Sequence, residues 1–202
     1  MRYVQIWKSA VVVLGLAFIL GGCAAAEVQQ GDNLGDFDVR VADALEEARS
    51  GGASEAQLAI VEQAGKEGSV TFEDAKVAVS SAISCMAAAG IAATYEEDAL
   101  RNGVVIPGFT VKVSEDPALS NAADVCEYSE SYWVNKLYQT QPSAIDANLA
   151  FIEKQAPVIR QCLEDAGYDT DPDATGMDLV LQSAELDTAE FHCALDAGVM
   201  GY

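Results

Sequence analysis

Thr71-Phe-Glu-Asp74-Ala-Lys-Val-Ala-Val79-Ser-Ser-Ala-Ile83-Ser-Cys85-Met86-Ala-Ala-Ala-Gly90-Ile91 is the stretch whose reading decides the fold. Phe72, Ala75, Val79, Ile83 and Met86 recur at intervals of three and four, which places them on one face of an amphipathic helix. Thr71 with Asp74 three residues on marks the helix start, because each side chain can satisfy a free N–H of the first turn. Gly90 marks its end: glycine suits the left-handed position just past a helix, and an apolar residue after it can fold back on the last turn. The closing unit recurs as Cys162-Leu-Glu-Asp-Ala-Gly167-Tyr168 and again as Cys193-Ala-Leu-Asp-Ala-Gly198-Val199. A protein that ends three helices in one way is expected to be built mainly from helices.

Outward from this stretch, helices are expected from Phe37 to Ser50, closed by Gly51-Gly52, and from Ser54 to about Gly65, opened by a Ser54–Gln57 capping box. Ile91 to Tyr95 and Phe109 to Val113 are β-prone, with Asn102-Gly103 and Pro107-Gly108 as turn signals, which predicts a small antiparallel hairpin with a long loop. Asp116-Pro117 opens a helix through about Leu137 with Leu119, Ala123, Cys126, Trp133 and Leu137 on one face. Another runs from about Ala144 to Ala166 with Ile145, Leu149, Ile152, Ala156, Ile159 and Leu163 in register, and Pro157 must kink or restart it. A last short helix, capped by Asp187 and Glu190, ends at Gly198. The expected fold class is mainly α (α+β): a compact helical domain with one small hairpin and two disulfides.

The first 23 residues read as an address. A cationic stretch, Met1 to Lys8, precedes eleven uncharged residues, Ala10 to Leu20, too few for a membrane-spanning helix but suited to a secretory signal. Leu20-Gly21-Gly22-Cys23 resembles the lipobox of bacterial lipoproteins. That resemblance implies cleavage between Gly22 and Cys23, a diacylglyceryl and acyl modification on Cys23 and a cell-membrane location facing the extracytoplasmic side. The expected division is 1–22 signal peptide, 23–36 lipidated N-terminus and tether, and 37–202 a single extracytoplasmic domain.

Cys85, Cys126, Cys162 and Cys193 then form an even set in an exported chain, which reads as two disulfides. The first two repeat units are each followed by one further cysteine, so Cys85–Cys126 and Cys162–Cys193 is preferred among three connectivities. Without Cys-x-x-Cys spacing, and with His192 the one histidine, structural zinc is not expected.

The chain of 202 residues carries 11 Lys and Arg against 32 Asp and Glu, a net charge of −21. Arg2 and Lys8 lie in the acid-free first 22 residues, so the remaining 180 carry 9 basic against 32 acidic side chains, or −23. Nucleic-acid binding is excluded as a partner class, because that affinity rests on Lys and Arg neutralising phosphates.

Ser54-x-x-Gln57, Gly68-Ser-Val-Thr71-Phe-Glu-Asp74 and Cys85-Met86-x-x-Ala89-Gly90 together resemble a recurrent arrangement in exported actinobacterial proteins. The likeness covers Ala53 to Ile91 and, more loosely, the second cysteine unit. It implies architecture and origin; that family carries no assigned activity.

Candidate chemistry is sparse. Around Gly68, the half EF-hand Gln63, Gly65 and Asp74 lacks the carboxylates Ca²⁺ needs at its first and third positions, so a helix–turn–helix corner is expected. Asp169, Asp171 and Asp173 alternate as at the start of a Ca²⁺ loop, yet Ala174 and Val180 stand where glycine and glutamate belong, leaving them weak metal candidates. Glu96-Glu97-Asp98 is expected in the hairpin loop as a solvated cluster or a docking patch for a basic partner. His192 has Asp196 one turn away, but no Gly-x-Ser-x-Gly elbow exists, and no carboxylate pair stands out for glycoside hydrolysis. Tyr128, Tyr132, Trp133 and Tyr138 share one helix, where aromatics are more often core than ligand platform; if part of the set is exposed, it is the best place for a glycan or protein contact. The expectation is a non-enzymatic, lipid-anchored binding or structural surface protein without cofactor, its partners the membrane and an envelope protein or glycan. A ligand- or calcium-binding lipoprotein is the second class and an envelope hydrolase the third.

Overall fold

The helical period read from Thr71 to Ile91 becomes α3 in a computed structural model that describes residues 36–112, 117–186 and 192–199. Its elements in chain order are α1 (Phe37–Gly51), α2 (Glu55–Glu67), α3 (Phe72–Ala88), β1 (Ala93–Ala99), β2 (Val105–Val111), α4 (Pro117–Glu130), α5 (Tyr132–Thr140), α6 (Pro142–Asp165), α7 (Gly176–Glu185) and α8 (Cys193–Asp196). The class is mainly α with one two-stranded antiparallel hairpin, as expected. Thr71 and Asp74 form the full capping box, each side chain taking the other residue's N–H. Ala75, Ala78, Val79, Ala82 and Met86 make the buried face of α3, while Phe72 and Ile83 are half-buried.

The three cysteine units close their helices identically. Gly90, Gly167 and Gly198 all have φ near +80°, at 78°, 87° and 81°. The residue after each donates its N–H back five residues: Ile91 to Met86 at 2.8 Å, Tyr168 to Leu163 at 3.0 Å and Val199 to Ala194 at 2.9 Å. This is the Schellman closure, in which glycine carries the left-handed step that a side chain would penalise. Ile91 and Val199 are buried by it; Tyr168 stays largely exposed.

Three apolar clusters follow. The largest joins α1, α2, α3 and α5 through Phe37, Val41, Ala48, Val61, Ala75, Trp133, Val134 and Leu137. A second lies under the hairpin, where Met86, Ile91 and Cys126 meet Phe109, Val111 and Leu119. The third packs α6 against α7 and α8 through Ile152, Ile159, Leu163, Leu179, Cys193 and Val199. Both expected disulfides are present: Cys85–Cys126 ties α3 to α4 beneath the hairpin, and Cys162–Cys193 ties α6 to α8. Closing loops of 41 and 31 residues, each stabilises by roughly 3–4 kcal/mol in the chain-entropy picture.

Several expectations need correction. The hairpin turn lies at 100–104 alone; Pro107 and Gly108 sit inside β2, opposite Glu97 and Glu96. Proline is tolerated there because each strand of a two-stranded sheet has a free edge on which no N–H is required. Glu96, Glu97 and Asp98 are therefore strand residues of β1, not loop residues. Pro157 does not restart α6: it lies on the exposed side, where water can meet the Glu153 carbonyl left without a donor, and Leu149 of the predicted stripe is also exposed. Helix α7 has no counterpart in the sequence reading, although Thr175 and Asp178 form a second full capping box. Strand residue Val113, helix-opening Asp116 and the caps Asp187 and Glu190 lie outside the described residues.

The predicted single helix to Leu137 breaks at Ser131 into α4 and α5. Ser54 caps α2 by accepting from the Gln57 N–H, but Gln57 does not return the favour. Its side chain, 1 % exposed, crosses to the other helix instead. Nε2 donates to the carbonyls of Tyr128 at 3.0 Å and Ser129 at 2.6 Å, and Oε1 accepts from the Trp133 N–H at 2.7 Å. In an unbroken helix the Trp133 N–H would bond the Ser129 carbonyl directly. The Gln57 carboxamide is inserted into that one bond. Replacing it by leucine strands the buried Trp133 N–H and removes the donor to the Tyr128 carbonyl, so Gln57→Leu is expected to lower stability by about 1–3 kcal/mol in urea unfolding; a loss below about 0.5 kcal/mol would mean that α4 and α5 fuse at no cost.

Candidate functional site

The sequence-marked aromatic set divides at the helix break. Trp133 and Tyr138 point into the main cluster, 3 % and 8 % exposed, whereas Tyr128 and Tyr132 remain 37 % and 40 % exposed. The two tyrosines stack, with ring centroids 5.3 Å apart and planes at 25°. The Trp133 indole stands edge-on to both, at 5.5 Å from Tyr128 and 4.8 Å from Tyr132. Lys136 lies over the indole with its Nζ 4.8 Å from the ring centroid and 3.6 Å from a Glu47 carboxylate oxygen. Gly51 lets the α1 end approach: a Cβ there would fall 2.6 Å from Cε1 of Tyr128. The result is an aromatic surface over a rigid base, with one ammonium and one carboxylate at its edge.

The Trp133 Nε1–H is buried without a hydrogen-bond partner among the described residues, and the Asn135 Oδ1 shares that condition. Tyr138 spends its hydroxyl on the Val105 carbonyl at 2.9 Å, and burial raises its pKa. Tyr95 donates to Glu97 at 2.8 Å; desolvation first, then that bond and the charge of Glu97, push its pKa up to about 12. Both phenols are held protonated in structural bonds.

The other candidates are dispersed. Asp169, Asp171 and Asp173 are exposed and do not converge. Their loop closes on Arg160, which donates to the Thr170 hydroxyl and to the carbonyls of Asp171 and Ala174, while the Asp171 carboxylate accepts from the Asp173 N–H. Gln63, Gly65 and Asp74 belong to the corner between α2 and α3, where Asp74 is engaged in capping. His192 precedes α8 and accepts the Asp196 N–H on its carbonyl. Among the described residues no group of three or more His, Cys, Asp and Glu is placed to hold a metal ion, and no helix is long and apolar enough to cross a membrane. Gly22 and Cys23 lie outside the described residues.

Two open clefts lie on the described surface. One, of about 660 Å³, runs along α3, where Ser80, Ser81 and Ser84 donate to the carbonyls of Lys76, Val77 and Ser80 and turn their remaining lone pairs outward. The other, of about 410 Å³, opens between the hairpin turn and the α5–α6 junction around Gln141. Neither was singled out from sequence. The signal for the second was present in Gln141-Pro142-Ser143: a polar residue before a proline that opens a helix.

Comparison with protein-family models, curated proteins and solved structures finds no match to this chain.

Beside the tyrosines, Glu127 has its pKa raised, by desolvation first and by the Asp124 carboxylate second. A carboxyl that binds its proton more tightly when folded favours the folded state as pH falls from its folded pKa to its unfolded pKa, and leaves a constant penalty above that window. Glu127→Gln is therefore expected to melt above the wild type at pH 7 and to converge with it below about pH 4; thermal melts across pH check this, and a gap that persists at low pH contradicts it.

Proposed function

We propose that this protein is a lipid-anchored lipoprotein of the bacterial cell envelope whose folded domain is a non-enzymatic binding or structural module on the extracytoplasmic side. The observation that carries the reading is the division of the five cysteines. Cys85, Cys126, Cys162 and Cys193 pair with one another, which suits an oxidising compartment, and Cys23 stands apart at the end of Leu20-Gly21-Gly22. An acyl-bearing Cys23 would give stable attachment, since two or more chains anchor where one binds only marginally. The body's charge of −23 supports a domain held off an anionic surface, leaving the anchor to the lipid.

Detergent phase separation of cells expressing the chain is the direct test. The wild type is expected in the detergent phase and Cys23→Ala in the aqueous phase or as an uncleaved precursor; a wild type wholly in the aqueous phase overturns the anchor.

The exposed Tyr128–Tyr132 pair supports a contact surface, because stacked rings offer a large, rigid apolar area at small cost in side-chain entropy. A photo-cross-linker at Tyr132 is expected to capture an envelope component in living cells, and Lys154, on α6, supplies the control position. Equal capture from both positions, or none from Tyr132, counts against binding through this surface.

A further inference from the structure

We propose that the cleft between the hairpin turn and the α5–α6 junction is a binding site for a small apolar molecule carrying a carboxylate. At about 410 Å³ it falls in the size range of small-molecule sites. Its apolar side is formed by Phe72 and Tyr138, edge to face at 6.5 Å, and by Val104 and Val105 of the hairpin. The Tyr138 hydroxyl is committed to the Val105 carbonyl, so this ring serves as wall.

The polar side consists of donors. Gln141 is 6 % exposed, and its Oε1 accepts the Val70 N–H at 3.0 Å, which fixes the orientation of the amide. The Nε2, with two hydrogens, has no partner among the described residues and is not sealed from solvent. Gln141 is nearly buried as a residue, but this donor is open to solvent, and Gln141 is one of the residues that line the cleft. Beside it begins α6, a helix of 24 residues. Pro142 has no N–H, and Ala144 and Ile145 both donate to the Gln141 carbonyl at 3.0 Å. Among the described residues the Ser143 N–H and hydroxyl have no partner, and Ser143 is exposed at the positive end of the helix.

The choice of ligand follows from this inventory. Amide, hydroxyl and helix-terminal donors next to an apolar wall match a carboxylate on an apolar body. Phosphate fits less well, because no Lys or Arg lines the cleft. A metal ion fits still less, because no acidic side chain lines it either. The proposal does not rest on the lipid anchor: a soluble form of the domain would carry the same cleft.

Equilibrium dialysis of the purified full chain against 1-naphthaleneacetate tests it, with the same buffer and detergent without protein as the blank. One saturable site per chain is expected, with a Kd of about 1 mM or tighter. Gln141→Glu keeps an acceptor for the Val70 N–H but replaces the free donor by a carboxylate oxygen, so binding should weaken at least about tenfold. Ser143→Trp, at an exposed position on the rim, should abolish binding by filling the cleft and keeps the test decisive if the first variant unfolds. The neutral 1-naphthaleneacetamide should bind more weakly than the acid. Absence of saturable binding, binding untouched by folded variants, or equal affinity for acid and amide overturns the site, and each leaves the detergent-phase result unaffected.

Discussion

The carboxamide of Gln57 stands in place of one peptide hydrogen bond, that between Trp133 and Ser129, and the arrangement of the first five helices depends on this substitution. A continuous helix from Pro117 to Thr140 would have to lay one straight face on two separate cores. Helix α4 packs beneath the hairpin through Leu119, Ala123 and Cys126, while α5 enters the main cluster through Trp133, Val134 and Leu137. Breaking the ladder at Ser131 lets each segment follow its own core. The break strands few groups, because the inserted amide presents one donor side and one acceptor side, as the lost peptide bond did. The Ser54 N–H, at 2.8 Å from the Ser129 carbonyl, supplies a second tie between the same two segments. Full burial of Gln57 is tolerated because its amide groups are satisfied.

Gln141 repeats the device at the next helix junction, with one difference. Its carbonyl side is used, by the Val70 N–H, and holds the corner between α2 and α3 against the start of α6. Its nitrogen side is not matched by any described backbone carbonyl. Two buried glutamines thus stand at the two ends of α5, one fully used by the fold and the other half used. Gln141 also lines a cleft with an aromatic wall.

Legibility in the sequence followed the range of the interaction. Thr71 with Asp74, the Ala-Gly units at Gly90, Gly167 and Gly198, and the cysteine pairs all act within a few residues or repeat a visible unit, so residue order reveals them. Helix α7 obeyed the same rule and could have been read from Thr175 and Asp178; the acidic loop before it drew the reading away. Ser54 and Gln57 show the opposite case. Their spacing spells a reciprocal cap, and half of that cap forms. The other half is overridden because Gln57 finds partners 71 to 76 residues away that local order cannot display. The same long-range bond broke the helix that the periodicity through Leu137 had joined. Of the aromatic set, the sequence displayed the members but not the split, since only the break decides that Trp133 turns inward while Tyr128 and Tyr132 stack outside.

A carboxylate site on a protein of net charge −21 looks self-defeating until distance is considered. At physiological salt, charges beyond roughly 8 Å are largely screened, so the distant acids that dominate the net charge have little hold on a ligand inside a cleft. Local donors act at hydrogen-bond distance, inside a partly apolar pocket where their fields are weakened least. None of the lining residues is acidic. The same screening works in reverse at the proposed membrane anchor, where repulsion between an acidic body and an anionic surface is felt only near contact. It would keep the domain from lying down without weakening the lipid's hold. One charge distribution can therefore serve both proposals, because no acidic side chain lines the cleft around Gln141.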